Sequence, residues 1–130
     1  MTTTLPTVYG RYLDCLNDRR WDDLGEFVCD DVHYNGQRIG LVGYRSMLQH
    51  DVDTIPDLQF IATLLVADDA TVGCRLLFHC TPEREFLGWS PTGSAITFAE
   101  HVFYRFRAAK IAEVFSLLDT EAIAAQLQSS

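Results

Sequence analysis

The chain has 130 residues, of which 48% are hydrophobic, so it can form one domain over residues 1–130 with a core of its own. Its formal net charge of -8 argues against nucleic acid or an anionic membrane surface as a partner, because both require basic patches. The four cysteines (Cys15, Cys29, Cys74 and Cys80) have neither zinc spacing nor a C-x-x-C pair. We expect them to be buried free thiols, as is usual in a reducing cytoplasm. No leader pattern and no membrane-spanning apolar run is seen, so we expect no membrane partner.

The first half of the chain predicts three helices and a hairpin. Apolar residues recur at helical spacing after Pro6, which is tolerated in a first turn, and Pro56-Asp57 ends the third helical pattern. Asn35-Gly36 is a strong turn signal between two short strands. The predicted helices cover residues 5–19, 22–28 and 43–55, and the predicted hairpin strands cover 32–35 and 37–41.

The second half predicts four long strands and a closing helix. Alternating apolar residues indicate strands that are buried on one face, and Thr120 can cap the final helix. The predicted strands cover residues 58–66, 72–80, 94–107 and 111–118, and the predicted helix covers 120–126. Helices and antiparallel strands that are segregated along the chain indicate an α+β fold.

One carboxylate stands on an apolar strand face. Alternation places Glu100 with Ile96, Phe98, Val102 and Tyr104 on the face that should point at the core. A buried carboxylate costs several kcal/mol unless it is hydrogen-bonded, paired or protonated, so such a residue often marks a pocket. The opposite face carries His101, Phe103 and Arg105, and we expect a homodimer to form through that outer face.

An ordered series of short motifs extends over nearly the whole chain, although each fragment alone is weak. The motifs are Gly43-Tyr44-Arg45, Pro56-Asp57-Leu58, Glu85-Phe86-Leu87-Gly88, Pro91-Thr92-Gly93, Tyr104-Arg105-Phe106, Lys110-Ile111, Glu113, Asp119 and Gln126-Leu127. Together they resemble the SnoaL-like polyketide (ester) cyclase family of the nuclear transport factor 2-like superfamily.

The resemblance implies a cone-shaped α+β fold, with three or four helices packed in a strongly curved, mostly antiparallel sheet around a ligand cavity. It implies an aldol closure of a polyketide ester without metal or organic cofactor. Asp119 falls on the family's general acid/base position, where a buried carboxylate could act near neutral pH. The composition offers a second interpretation, in which Asp119 caps the closing helix.

The chain departs from the family pattern at two positions of the strand that carries Glu100. Relatives have glutamine in place of Glu100 and histidine in place of Val102. Strand parity turns His101 to the opposite face, although a one-residue bulge could bring it back. The polar groups of the pocket are therefore changed, while the motifs that shape the scaffold are retained.

We therefore predict catalytic roles for Asp119 and Glu100. On the first hairpin strand, parity allows either Tyr34, or His33 with Asn35, to face the cavity, and we favour Tyr34. The predicted substrate-binding residues are Tyr34, Val102, Phe98, Trp89 and Phe115. The predicted function is a cofactor-independent ester or polyketide cyclase, or a related proton-transfer enzyme, acting on a small apolar carbonyl ligand. The alternative is a non-catalytic ligand-binding or dimeric interaction protein on the same fold.

Overall fold

The computed structural model describes residues 4–128 as a mixed six-stranded sheet with three α-helices and one 3₁₀ helix. No described helix is both long enough and apolar enough to cross a membrane. The helices are α1 (Leu5–Asn17), the 3₁₀ helix (Trp21–Glu26), α2 (Gly40–Thr54) and α3 (Thr120–Leu127). The strands are β1 (Val28–Tyr34), β2 (Gln37–Arg38), β3 (Ile61–Ala67), β4 (Thr71–Cys80), β5 (Ile96–Arg107) and β6 (Lys110–Leu118).

The sheet has the order β2-β1-β6-β5-β4-β3. Every neighbouring pair is antiparallel except β1 and β6, which are parallel. The parity predicted for β5 is confirmed, because Phe98, Val102 and Tyr104 are buried while His101 and Phe103 are exposed. The inner face of the sheet packs against the helices, and its central strands carry the inward side chains of the candidate site.

Helix α1 packs its aromatic face against the inner face of β5. Tyr9 and Tyr12 are almost completely buried, and their ring centroids lie 4.9 and 5.8 Å from that of Tyr104. Their hydroxyls are paired, since Tyr9 donates to Tyr104 at 3.4 Å and Tyr12 lies 2.6 Å from the hydroxyl of Tyr44 on α2. Burial of a tyrosine requires such a partner, so these contacts fix how the helices sit on the sheet.

Strand β3 differs from its predicted pattern. A bulge between Ala62 and Leu64 inserts one residue, so the side chains that follow point to the other face of the sheet. Phe60 is buried just before the strand, whereas Leu64 and Val66 are exposed on the outer face. The prediction of one uniformly inward-facing strand over 58–66 was therefore wrong in its second half.

The segment predicted as a helix over residues 22–28 is shorter and tighter than expected. It is a 3₁₀ helix that ends at Glu26, and β1 begins at Val28, four residues before the predicted strand. Val28 and Cys29 are buried in this strand. Pairing with β6 thus overrides the helical interpretation of these residues.

Candidate functional site

A cavity of about 150 Å³ lies between the inner face of the sheet, helix α2 and the loop before β5. Its polar lining residues are Tyr34, Asp51 and Glu100. The remaining wall is apolar and consists of Met47, Ile55, Leu58, Phe60, Phe78, Phe86, Leu87, Phe98 and Leu118. Concave, mainly apolar spaces with a few convergent polar groups are where small ligands usually bind.

Glu100 lies in the middle of β5, where its neighbours across the sheet are Leu76 on β4 and Leu118 on β6. Its carboxylate accepts a short hydrogen bond from the hydroxyl of Ser116. Burial raises the pKa of Glu100, the Ser116 hydrogen bond opposes this, and the charge of Asp51 adds to it. Glu100 is therefore a carboxyl group that takes up a proton more readily than an exposed glutamate.

The turn after β1 holds Ser116 in place. Asn35, at a φ of 49°, begins the Asn35-Gly36 turn that the sequence predicted. Its side-chain oxygen accepts from the Ser116 amide at 2.8 Å, and its side-chain nitrogen donates to the Ser116 carbonyl at 3.3 Å. Asn35 does not line the cavity, but it fixes the strand position from which Ser116 reaches Glu100.

Asp51 is the second carboxyl group of the cavity. It stands on α2, and burial raises its pKa from the ordinary 3.8 to about 6, against a smaller opposing effect of the charge on His50. No described residue forms a side-chain hydrogen bond or an ion pair with the Asp51 carboxylate. A carboxylate with a pKa near 6 is a competent general base at neutral pH, because it is mostly ionised yet still basic.

The cavity contains three of the residues predicted from the sequence: Tyr34, Phe98 and Glu100. Burial raises the pKa of the Tyr34 phenol, so its hydroxyl keeps its proton and can serve as a hydrogen-bond donor. The other three predicted substrate-binding residues lie outside the lining. Val102 belongs to the packed core, and Phe115 points to the outer face because it has the opposite strand parity from Ser116. Trp89 forms a bridge with Phe86 in the loop before β5.

Asp119 is placed away from this cavity. It is exposed at the end of β6, where its carboxylate accepts from the Ala122 amide at 3.1 Å as the N-cap of α3. Its surroundings are Arg75, His101 and Leu117, on the outer side of the sheet. The structure thus does not bring Asp119 together with Glu100, and the dry setting expected for it is not found, because Leu117 before it is exposed. Its catalytic role stays a prediction that this position does not favour.

Sequence reasoning missed Asp51 and Ser116. A signal for Asp51 was present, since it follows Met47 by four residues and precedes Ile55 by four, and side chains at this spacing share one helix face. An acidic residue on the apolar stripe of α2 is the helical equivalent of Glu100 on β5. Ser116 shares the inward parity of Val114 and Leu118, which made it a candidate partner for a buried carboxylate.

No group of three or more His, Cys, Asp or Glu residues that could hold a metal ion occurs within residues 4–128. The described lining of the cavity also contains no Lys, Arg or His. The site can therefore offer two carboxyl groups and one phenol to a ligand, inside an apolar wall.

Comparison with known proteins identifies the family. Residues 6–127 match the profile that describes the SnoaL-like polyketide cyclases. The chain belongs to the SnoaL-like polyketide cyclase family. A structure from Agrobacterium tumefaciens described as a SnoaL-like polyketide cyclase is 48% identical, with a TM-score of 0.94, and the match covers 97% of this chain and 99% of that one.

More distant solved structures share the fold at low sequence identity. IdmH from Streptomyces antibioticus, proposed to be a polyketide cyclase, is 19% identical with a TM-score of 0.85 over 98% of this chain and 100% of its own. AclR from Streptomyces galilaeus, proposed to be a hydroxylase, is 17% identical with a TM-score of 0.79 over 95% of this chain and 94% of its own. No protein with a curated description matches the chain. The predicted family and the nuclear transport factor 2-like α+β fold are thus confirmed, and the activity must be argued from the cavity itself.

Proposed function

We propose that this SnoaL-like protein is a cofactor-independent proton-transfer enzyme of the cyclase type, which acts on a carbonyl compound held in the cavity. The observation that supports this most directly is the pair of carboxyl groups, Asp51 and Glu100, in an otherwise apolar wall. Both have raised pKa values because they are buried, and the charge of Asp51 further raises the pKa of Glu100. Two carboxyl groups that share protons in this way can alternate between base and acid.

The proposed reaction needs no oxidant or reductant. One carboxylate, Asp51 in our assignment, removes a proton from the carbon next to the ligand's carbonyl group, and the carbonyl becomes an enolate. The Tyr34 hydroxyl donates a hydrogen bond to the enolate oxygen, where negative charge develops. The enolate carbon then bonds to a second carbonyl carbon of the same ligand. The resulting alkoxide takes a proton from Glu100 in its acid form. The proton held by Asp51 then passes to the Glu100 carboxylate, which restores the starting state.

The decisive test is exchange of α-hydrogens for deuterium in aryl and alkyl methyl ketones dissolved in D₂O, followed by proton NMR. A positioned general base contributes about 10² to 10⁴ in rate, so Asp51→Asn should lower exchange by about 100-fold or more. Asp119→Asn is the matched control, because asparagine retains the N-cap of α3 and the structure leaves this position outside the cavity. Thermal unfolding of each variant checks that the fold is intact.

Two results would overturn this assignment. Full exchange in the Asp51→Asn variant would show that Asp51 is not the base. Loss of exchange in the Asp119→Asn variant alone would return the acid/base role to the residue predicted from the sequence.

We also propose that the protein is a cytoplasmic homodimer that pairs through the outer sheet face. Val66, Gly73, Phe103 and Phe115 lie opposite one another on four adjacent strands and form a row across that face. Val66 is 61% exposed and Phe103 is 54% exposed, which leaves an apolar surface of the kind that protein partners cover. The four cysteines are free and buried, as expected for a reducing compartment.

A further inference from the structure

We infer that the cavity takes an uncharged carbonyl compound built on a single ring or a short chain, rather than a multi-ring polyketide or any anion. This inference rests on the proposed function, because it concerns the same site. It limits the substrate class by the size of the cavity and by the charges of its wall.

The size limit comes from the volume and from the packing of the wall. Ligand sites for drug-sized molecules usually enclose about 300 to 1,000 Å³, whereas this cavity encloses about 150 Å³. An apolar cavity of roughly that volume accepts benzene. Four phenylalanines pack in a chain along the wall, with ring centroids 5.6 Å apart for Phe60 and Phe78, 5.1 Å for Phe78 and Phe98, and 5.7 Å for Phe98 and Phe86. Enlarging the space would separate rings that now pack against one another, at a cost in packing energy.

The charge limit comes from the polar lining groups. A ligand anion would lie beside Asp51 and Glu100, and the described lining offers it no Lys, Arg or His. Burying a third negative charge there would cost several kcal/mol, so free carboxylates and phosphates are excluded. The Tyr34 hydroxyl, which retains its proton, suits a neutral carbonyl oxygen.

Binding of three matched probes to the unaltered protein tests this, with amide chemical shifts of the cavity residues as the readout. None of the probes has a second ketone, so none can be cyclised. Acetophenone is neutral with one ring, benzoate is its anionic counterpart, and 2-acetylnaphthalene adds a second ring to the same ketone. Acetophenone should bind at least tenfold more tightly than each of the other two. The inference is overturned if benzoate or 2-acetylnaphthalene binds as tightly as acetophenone, or if acetophenone does not bind.

A pair of leucine variants tests the size limit separately. Leu118 lines the cavity, so Leu118→Ala should enlarge it and raise the affinity for 2-acetylnaphthalene at least tenfold relative to acetophenone. Leu117→Ala is the matched control, because Leu117 is the preceding residue of β6, points to the opposite face and is exposed. Equal responses of the two variants would contradict the size limit.

The binding and exchange experiments together distinguish failure of the ligand-class inference from failure of the proposed enzyme activity. Selective binding of acetophenone without any exchange of its α-hydrogens in the unaltered protein would support the ligand class and refute the enzyme. Exchange that is faster with 2-acetylnaphthalene than with acetophenone would support the enzyme and refute the ligand class.

Discussion

Replacement of Asp51 by asparagine should stabilise the protein in a way that depends on pH. Burial raises the pKa of Asp51 from 3.8 to about 6. The folded state therefore binds this proton more tightly than the unfolded chain, and stability falls as the pH rises through the window from about 4 to 6. The shift is roughly two pKa units, and at 1.36 kcal/mol per unit the loss at neutral pH is about 3 kcal/mol. Asparagine does not titrate and carries no charge, so Asp51→Asn avoids this loss.

The assay is urea unfolding of both proteins at a series of pH values from about 3.5 to 7.5. The difference in the free energy of unfolding between Asp51→Asn and the unaltered protein should grow by roughly 2.5 kcal/mol between pH 4 and pH 7 and then level off. Asp53→Asn is the matched control, since Asp53 is exposed on the same helix and its replacement should give a nearly constant difference. A difference for Asp51→Asn that does not change with pH would show that Asp51 is not held in a desolvated site.

Three further predictions concern the turn between β5 and β6, the Ser116 hydrogen bond and the outer sheet face. Ala108 and Ala109 adopt φ values of 52° and 64° in the turn between β5 and β6, so Ala109→Gly should relieve left-handed strain and raise stability by about 0.5 to 1 kcal/mol, or a few degrees in thermal melting. An unchanged or lower melting temperature would contradict this. Ser116→Ala removes the hydrogen bond that lowers the pKa of Glu100, so the pKa of Glu100 measured by carboxyl NMR should rise; a constant value would rule out the contact. Phe103→Asp places a charge in the exposed apolar row and should yield a monomer in analytical ultracentrifugation, whereas an unchanged mass would exclude this face as the interface.

The sequence predicts most reliably those strands in which apolar and polar residues alternate without interruption. Strand β5 alternates without a break from Ile96 to Tyr104, so sequence alone places Glu100 on the inner face. The same rule failed for Leu64 and Val66, because a one-residue bulge depends on pairing with β4 and leaves no signal in the apolar pattern. On the hairpin, Tyr34 lines the cavity and neither His33 nor Asn35 does, while the substrate-binding role of Tyr34 stays a prediction.

The candidate site was harder to predict because its groups come together from distant parts of the chain. Asp51 and Glu100 lie on a helix and a strand that are joined only through the folded core. Asp119 satisfied the family position in sequence, but its side chain is taken up by the N-cap of α3. The family motif therefore predicts the position of Asp119 along the chain. The direction of its carboxylate is set by the hydrogen bond to the first turn of α3, which the motif does not reveal.

The hydrogen-bonded tyrosine pair in the core limits which substitutions homologous proteins can tolerate at these two positions. Tyr12 and Tyr44 satisfy each other inside an apolar interior, so a single change to phenylalanine leaves one hydroxyl buried without its partner. Such an orphaned group costs about 1–3 kcal/mol, whereas changing both residues together can be nearly neutral. Homologous chains should therefore have a hydroxyl at both positions or at neither. The two positions should covary even among homologues whose cavity residues differ.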